Sequence, residues 1–485
     1  MDFSFRIEAF NPPLTTHFIA QAVGAHLNNV RSTNVRSTAV RSTTSHLING
    51  VTTDSRLVQK GDCFIALRGD RGDGHAHIAS AIRQGAICVI GEIGHMPEQE
   101  SANTLFLPTP DSLFALGELA KSWRQQFRLP LLGITGSNGK TTTKEIAMTL
   151  LEGAGETLSS YGNWNNLIGL PLTLLRLRPE HSYGVLEMGM NHFGEIARLC
   201  EIANPDYRLI TNIMPVHLEG VGDLDGVARA KAEMVHSIAP QQHFIVNADD
   251  PRLVKLASQL QCQLWYYSKA PQSSSQPPIA VRLINKTELE IAKQRYPFTL
   301  SLGGEHNLSN MLAAVTAGLA IGLDPLQMTR CLAQVKPPPL RSQWLNLDEG
   351  IRIYNDCYNA NPGSVQAALE FIKQQKAPRH IAVLGDMWEL GNSSLKLHQE
   401  ILQLTQQLQY DLVLCLGPNY QAAVPANPSN TWLRTYAHID ALNQELGVLL
   451  RPQDLVLVKG SRAMKMERVV EHLQTLFTGK MEKGI

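Results

Sequence analysis

The stretch "LPLLGITGSNGKTTTKEIAMTLLEGAG", Leu129 to Gly155, constrains this chain more than any other. An apolar run ending at Thr135 predicts a buried strand, and helical spacing from Thr141, closed by glycine, predicts a helix. Between them lies Gly-Ser-Asn-Gly-Lys. Successive backbone N–H groups at a helix start make an anion cradle, and glycine permits positive φ and close approach. Lys140 adds charge for the outer phosphates, and Thr141 places a hydroxyl where Mg²⁺ usually sits. The common mononucleotide pattern has a glycine six positions before the lysine; here that position is Ile134. A glycine-rich turn with an ordinary N-cap competes as a reading of this stretch alone.

A length of 485 residues predicts two or three domains, and 44% hydrophobic with 18% charged residues predicts a globular protein. Lys plus Arg and Asp plus Glu both total 43. Without a bulk basic field, nucleic acid is not an expected partner, and any phosphate must be held by a local site. The seven cysteines are scattered, as in reduced core thiols of a cytosolic protein. Neither a secretory signal nor an apolar run of about 18 residues is evident, so no membrane insertion is expected and the location is expected to be cytoplasmic. Val30 to Thr43 repeats V-R-S-T with period five, which suits neither helix nor strand and reads as an exposed insertion.

Residues 45 to 105 alternate short apolar runs with turn residues ("CFIALRG", "GAICVIG", "TLFLP"), which predicts a small α/β domain. "YGVLEMG", "YRLITNI" and "HFIVNADD" are further short strands ending in polar residues. Alternation with helices implies a mainly parallel sheet, whose ligands collect at C-terminal strand ends. There Glu187 and His217 are candidate metal ligands, each more often structural when taken alone. Asp249 and Asp250 suit a turn cap as well as a ligand contact. "VKPPPLRSQW", 335 to 344, is a stiff break. Beyond it "HIAVLGD", "DLVLCLG" and "DLVLVKG" predict buried strands of a Rossmann-like domain, without the glycine fingerprint of a dinucleotide site. The expected fold class is therefore α/β with three domains: a small α/β N-terminal domain (1–107), a central P-loop mononucleotide-binding parallel-sheet domain (108–336), and a C-terminal Rossmann-like domain (337–485).

In order along the chain, "TGSNGKTTTKE", "GNWNNLIGLPLTLL", "LEMGMNHFGEI", "TNIMPVHLEG", "ARAKAEM", "GEHNLSNMLAA", "DCYNANPGSVQAAL", "VLGDMWELG" and "VLVKGSRAMKME" resemble the motifs of the Mur ligases, ATP-dependent enzymes of peptidoglycan precursor synthesis. "TTDSRLVQKGDCFIALRGDRGDGHAHI" resembles the domain holding their UDP end. The resemblance spans about residues 51 to 467 and explains the displaced glycine. It implies a ligase that phosphorylates the terminal carboxylate of UDP-N-acetylmuramoyl-tripeptide and passes the acyl group to the amine of D-alanyl-D-alanine. It also implies the use of ATP and two Mg²⁺ ions. The sequence itself shows no oligomeric state, and a monomer is the default expectation.

The resemblance carries roles onto particular residues. Gly136, Ser137, Asn138, Gly139, Lys140, Thr141 and Thr142 would hold the phosphates. Thr141 and Glu187 would hold one Mg²⁺, and His217 would help hold a second with Lys231 as its carbamate. Lys140, Glu187, His217 and Lys231 form the implied catalytic set. Asn307 and Asn310, with His306 beside them, would lie near adenine, and Arg341 and Asp356 would reach the nucleotide. Ser55 and Arg56 would take the uridine diphosphate end. Asn165 and Asn166 would contact the acceptor, or serve the loop alone. Asn359 and Asn361 in "YNANP" would bind the dipeptide, with Asx turns before proline as the competing role. Leu340, Met214 and Pro215 replace residues that are usually small or glycine in the family. A related ligase with another acceptor, such as folylpolyglutamate synthase or the diaminopimelate-adding enzyme, is one alternative. A nucleotide-dependent switch is the other.

Overall fold

The computed structural model describes residues 5–27, 45–69, 72–95, 104–270, 277–424 and 432–478; the repeat at 30–43 lies outside them. The chain is mixed α/β and divides into two compact units: Met1–Ile134, Ala154–Met190 and Gly194–Arg208; and Thr135–Gly153, Asn191–Phe193 and Leu209–Ile485.

In the first unit, strands Arg6–Glu8, Gly50–Thr52, Cys63–Ile65, Cys88–Glu92 and Leu105–Thr109 lie side by side in that order. The first pair is antiparallel and the rest are parallel. The expected apolar runs are thus strands, and Phe64, Val89 and Ile78 pack into one core. The carboxylate of Asp62, wholly buried, takes two hydrogen bonds from the Arg6 guanidinium at 2.8 and 2.9 Å and one from the Gln59 amide at 2.7 Å. The same unit holds a parallel ladder of Thr157–Ser159, Tyr183–Glu187 and Leu131–Thr135. Every residue of Leu131–Thr135 is buried, which is why the run is continuously apolar rather than alternating.

In the second unit the phosphate-loop sequence opens helix Lys140–Glu152. Strands His243–Asn247, Gln263–Ser268 and Ile279–Asn285 are parallel, as expected. Glu288–Ile291 and Gln294–Pro297 then return antiparallel. The two-residue turn between them places Ala292 (φ 49°) and Lys293 (φ 68°) in the left-handed region. Hairpin turns of this kind usually advertise themselves by Asn-Gly or Asp-Gly, and this one does not. Helix Glu305–Ile321 is buried over most of its circumference and packs on the phosphate-loop helix.

Past the proline-rich break, six strands form one sheet in the order Gln343–Asn346, Arg352–Asn355, Leu455–Lys459, His380–Gly385, Leu412–Leu416 and Leu433–Tyr436. All but the first are parallel to their neighbours. Ile353, Val383, Leu414 and Val456 point into one core, and their neighbours Tyr354, Ala382, Val413 and Leu457 into another. Successive strand residues face opposite ways, so a sheet buried on both faces needs the unbroken apolar runs seen here.

All seven cysteines are free thiols and six are buried. Among the described residues no helix is long and apolar enough to cross a membrane.

Gly153 caps the phosphate-loop helix, but with right-handed dihedrals (φ −62°, ψ −21°). Positive φ is therefore not why glycine is needed. A β-carbon there would lie 2.7 Å from Cys331 Sγ. Gly153→Ala at a compatible backbone position would ordinarily stabilise by about 0.4–1 kcal/mol. Overpacking against Cys331 reverses the sign, and a loss of about 1–3 kcal/mol is expected in urea unfolding. The double variant Gly153→Ala/Cys331→Ala should recover most of it.

Candidate active site

The phosphate loop is held by what it nearly touches. Gly136 (φ 146°) approaches Thr211 so closely that a β-carbon would lie 1.9 Å from its Oγ1. At Gly139 (φ 82°) it would lie 2.1 Å from Asn310 Oδ1. The Asn138 carbonyl accepts from Thr211 Oγ1 at 2.6 Å and Asn212 Nδ2 at 3.1 Å, and the Asn138 amide donates to Asn212 Oδ1 at 3.0 Å. The Ser137 amide donates to the Asn212 carbonyl at 3.0 Å. Ser137 Oγ exchanges bonds of 2.8 Å with the Met214 carbonyl and amide, so Met214 serves as part of the loop's seat. Lys140 Nζ folds over the loop and donates to the Gly136 carbonyl at 2.7 Å.

This loop lines a cavity of about 330 Å³ together with Asn307, Asn310, His306, Arg341, Asp356, Asn359 and Asn361. The cavity thus gathers every candidate nucleotide residue except Gly136. Asn310 Nδ2 donates to Asn307 Oδ1 at 3.1 Å, and Asn307 Nδ2 to the Gly303 carbonyl at 2.7 Å. Burial holds the His306 imidazole below its usual range, against the pull of Asp356. Leu340 takes φ 60°, the conformation glycine adopts freely, which explains the residue the family usually has at this turn. Its neighbour Arg341 stacks 4.0 Å over the Tyr358 ring. Asp356 accepts from the Ser342 amide at 3.1 Å and pairs with Lys459 Nζ at 2.5 Å.

Asn361 is fully engaged. Its Oδ1 accepts from the Ser364 amide at 3.0 Å, capping helix Pro362–Lys373, and from Asn138 Nδ2 at 3.2 Å. Its Nδ2 donates to Asn138 Oδ1 at 2.6 Å. It therefore performs the Asx role and also latches that helix to the phosphate loop. Asn359 is exposed on the cavity wall, its Oδ1 taking only a long 3.4 Å bond from the Arg462 amide. Asp250 caps helix Pro251–Ala257 and accepts from the Ile213 amide at 3.1 Å. Asp249 lines the cavity while accepting from the Lys269 amide at 2.8 Å.

His217 and Lys231 stand in the same unit. His217 (φ 50°) places Nδ1 2.5 Å from Glu389 Oε2, and Glu389 itself has φ 66°. The His217 hydrogen bond, more than any other influence, holds the Glu389 carboxyl below the usual range. Left-handed backbone costs roughly 1–2 kcal/mol at each non-glycine residue. A single hydrogen bond returns only about 0.5–1.5 kcal/mol net, so this contact is not there for stability. Lys231 is fully buried, and no acid pairs with it among the described residues. Burial, then the nearby Lys140 charge, drives its amine well below the usual lysine range.

The first unit holds the remaining candidates. Glu187 is 2% exposed at its strand end. It accepts from Asn165 Nδ2 at 2.7 Å, and its amide donates to Ser160 Oγ at 3.0 Å. Asn165 thus aims the carboxylate. Asn166 Oδ1 accepts from the Ile168 and Gly169 amides at 3.1 and 2.9 Å, a loop role. Ser55 and Arg56 lie on the short turn after Asp54, whose carboxylate pairs with Arg56 at 2.5 Å.

Carboxylate and hydroxyl oxygens are the kinds of donor that Mg²⁺ accepts. Among the described residues there is no cluster of three or more His, Cys, Asp or Glu. Sequence reasoning missed Lys459, Asn212, Glu389 and the orienting role of Asn165. Lys459 carried a signal, being a lysine that ends a buried strand. The others owe their roles to partners distant in sequence.

A family model described as "Mur ligase middle domain" matches residues 134–318. Others described as "Mur ligase, glutamate ligase domain" and "Mur ligase family, catalytic domain" match 340–462 and 47–124. The chain is 35% identical over 444 residues to UDP-N-acetylmuramoyl-tripeptide–D-alanyl-D-alanine ligase of Escherichia coli, covering 88% of this chain and 94% of that one. It is also similar to the crystal structure of MurF from Acinetobacter baumannii, with TM-score 0.83, 30% identity, and 96% and 99% of the two chains covered. MurF ligase of Thermotoga maritima in complex with ADP gives TM-score 0.77 at 27% identity, covering 88% of this chain and 97% of that one.

Gly139→Ala would drive its β-carbon into Asn310. Labelled ADP, titrated by fluorescence, is expected to bind roughly tenfold to a hundredfold more weakly, the scale of a misplacement of about 1 Å in a positioned site.

Proposed function

This chain belongs to the Mur ligase family, and on that premise we infer that it joins D-alanyl-D-alanine to UDP-N-acetylmuramoyl-tripeptide, with ATP giving ADP and phosphate. The observation that carries the reading is one cavity: the phosphate loop faces Asn359, Asp356 and Lys459 at the strand ends of the C-terminal sheet across it. Phosphoryl activation and capture by an amine need that juxtaposition. A carboxylate at neutral pH is a poor electrophile; its acyl phosphate has a good leaving group. The peptide carboxylate attacks the γ-phosphorus and ADP leaves. The dipeptide amine then adds to the activated carbonyl and phosphate departs. The protein supplies position and charge neutralisation.

In this reading the loop from Gly136 to Thr142 and the Lys140 ammonium hold the β- and γ-phosphates, although the Ser137 and Asn138 amides are spent on Asn212. Asn307, Asn310 and His306 form the adenine side, with Arg341 and Asp356 completing the nucleotide site. Asn359 presents its amide to the dipeptide, and Asn361 fixes the wall on which Asn359 sits. Ser55 and Arg56 receive the uridine diphosphate end, with Asn165 and Asn166 near the acceptor peptide. Thr141, Glu187, His217 and Lys231 would hold Mg²⁺, which when bound neutralises charge on the phosphoryl oxygens. The Lys231 amine suits carbamylation: CO₂ reacts with a neutral amine, and burial beside Lys140 favours the neutral form. In this reading residues 1–107 take the UDP end, 108–336 bind ATP and 337–485 complete the ligase, and a nucleotide-linked precursor puts the reaction in the cytoplasm.

Phosphate release should require both UDP-N-acetylmuramoyl-tripeptide and D-alanyl-D-alanine, and Lys140→Ala should abolish it. Stimulation by diaminopimelate or glutamate on a shorter precursor would sink the acceptor assignment. With ¹³CO₂, a carbamate carbon resonance is expected by NMR and should vanish in Lys231→Ala. At Asn361, aspartate keeps the helix cap but sets a carboxylate against Asn138 Oδ1. Asn361→Asp should therefore retain the melting temperature while raising KM for ATP, whereas Asn361→Ala should also lose about 1 kcal/mol of stability.

A further inference from the structure

Glu389 lies in "VLGDMWELG", a segment to which no chemistry has so far been given. The segment is anchored on both sides of the glutamate. The Trp388 amide donates to Ser461 Oγ at 2.9 Å, and Leu390 is buried at 2% exposure. Between these anchors Glu389 reaches across 172 positions of sequence to His217. A second contact keeps the two loops in register: the Glu219 amide donates to the Glu389 carbonyl at 3.3 Å. Both partners of the pair adopt left-handed backbone. Strain held at both ends of an exposed polar contact is the mark of a positioned group rather than of a stabilising one.

We propose that Glu389 is a positioning residue for His217. Its carboxylate holds the proton on Nδ1, which leaves Nε2 as the lone-pair atom available to a divalent cation. A carboxylate behind a ligating imidazole fixes both the tautomer and the ring plane and raises the basicity of the other nitrogen. Glu389 comes from beyond the proline-rich break that ends at Trp344, so the cation site gains its orienting group only when the C-terminal sheet is in place. The proposal rests on the assignment of His217 to a metal under the function inferred above.

The test is Mn²⁺ binding to the full-length protein with ADP, followed by electron paramagnetic resonance rather than by turnover. Wild type, Glu389→Ala, Glu389→Gln and His217→Ala are compared, each with its melting temperature. Outer-shell partners of metal ligands typically govern affinity by about tenfold to a hundredfold. Glu389→Ala should weaken the ion that His217→Ala removes by that factor. Glu389→Gln should recover most of the loss, because its amide oxygen still accepts the Nδ1 proton. If Glu389→Ala binds Mn²⁺ as wild type does while His217→Ala loses an ion, the positioning role is wrong and the metal assignment stands. If Glu389→Gln is as weak as Glu389→Ala, acceptance of that proton is not what matters, and the proposal also falls. If His217→Ala loses no ion, the metal assignment of His217 fails first, and the proposal with it.

Discussion

Two close approaches hold the phosphate loop, and the rest of the site is arranged around them. Gly136 lies against Thr211 and Gly139 against Asn310, each too near for any side chain on the loop. The Asn138 carbonyl is occupied by Thr211 and Asn212, and the Ser137 and Asn138 amides are occupied by Asn212. An anion cradle works best when its backbone is fixed before the ligand arrives. Here strand-end side chains provide that fixing. The same helix that carries Asn310 carries Asn307, so the seat of the loop and the residues proposed for the adenine side share one helix.

Charge is distributed with similar economy. Lys140 acts electrostatically on both the buried Lys231 amine and the Glu389 carboxylate. The lysine pair is unfavourable when both are charged, which drives Lys231 toward the neutral form. Across the proline-rich break, Asn361 meets Asn138 and Glu389 meets His217. These are polar contacts of modest energy in water-accessible places. Such contacts can form and part during a catalytic cycle, whereas a large apolar interface could not without a heavy cost.

Much of the fold was legible because its strands are buried on both faces. "LPLLGIT", "DLVLCLG" and "DLVLVKG" have no polar alternation, and both sides of the C-terminal sheet are indeed core. The hairpin closed by Ala292 and Lys293 was not legible, since neither residue advertises positive φ. Gly153 closes the phosphate-loop helix, as its sequence suggests, but it also gives clearance to Cys331, a distant residue whose position no local pattern reveals. Asn166 and Asn361 were open between ligand and loop roles in the sequence; Asn166 bonds within its own loop and Asn361 caps a helix.

By itself the sequence determined the strand–loop–helix unit, the order of the motifs, and the kinds of groups each strand end would present. These depend on local periodicity, on glycine's conformational range and on side-chain chemistry, all of which are properties of short stretches. Only the tertiary structure decided which groups meet. Asn165 aims Glu187, Lys459 balances Asp356, Glu389 grips His217, and Lys231 loses its solvent. The reason is physical: a hydrogen bond or a lost hydration shell depends on distances of a few ångströms between residues 22 to 223 positions apart, and such distances exist only once the sheets have closed on their cores.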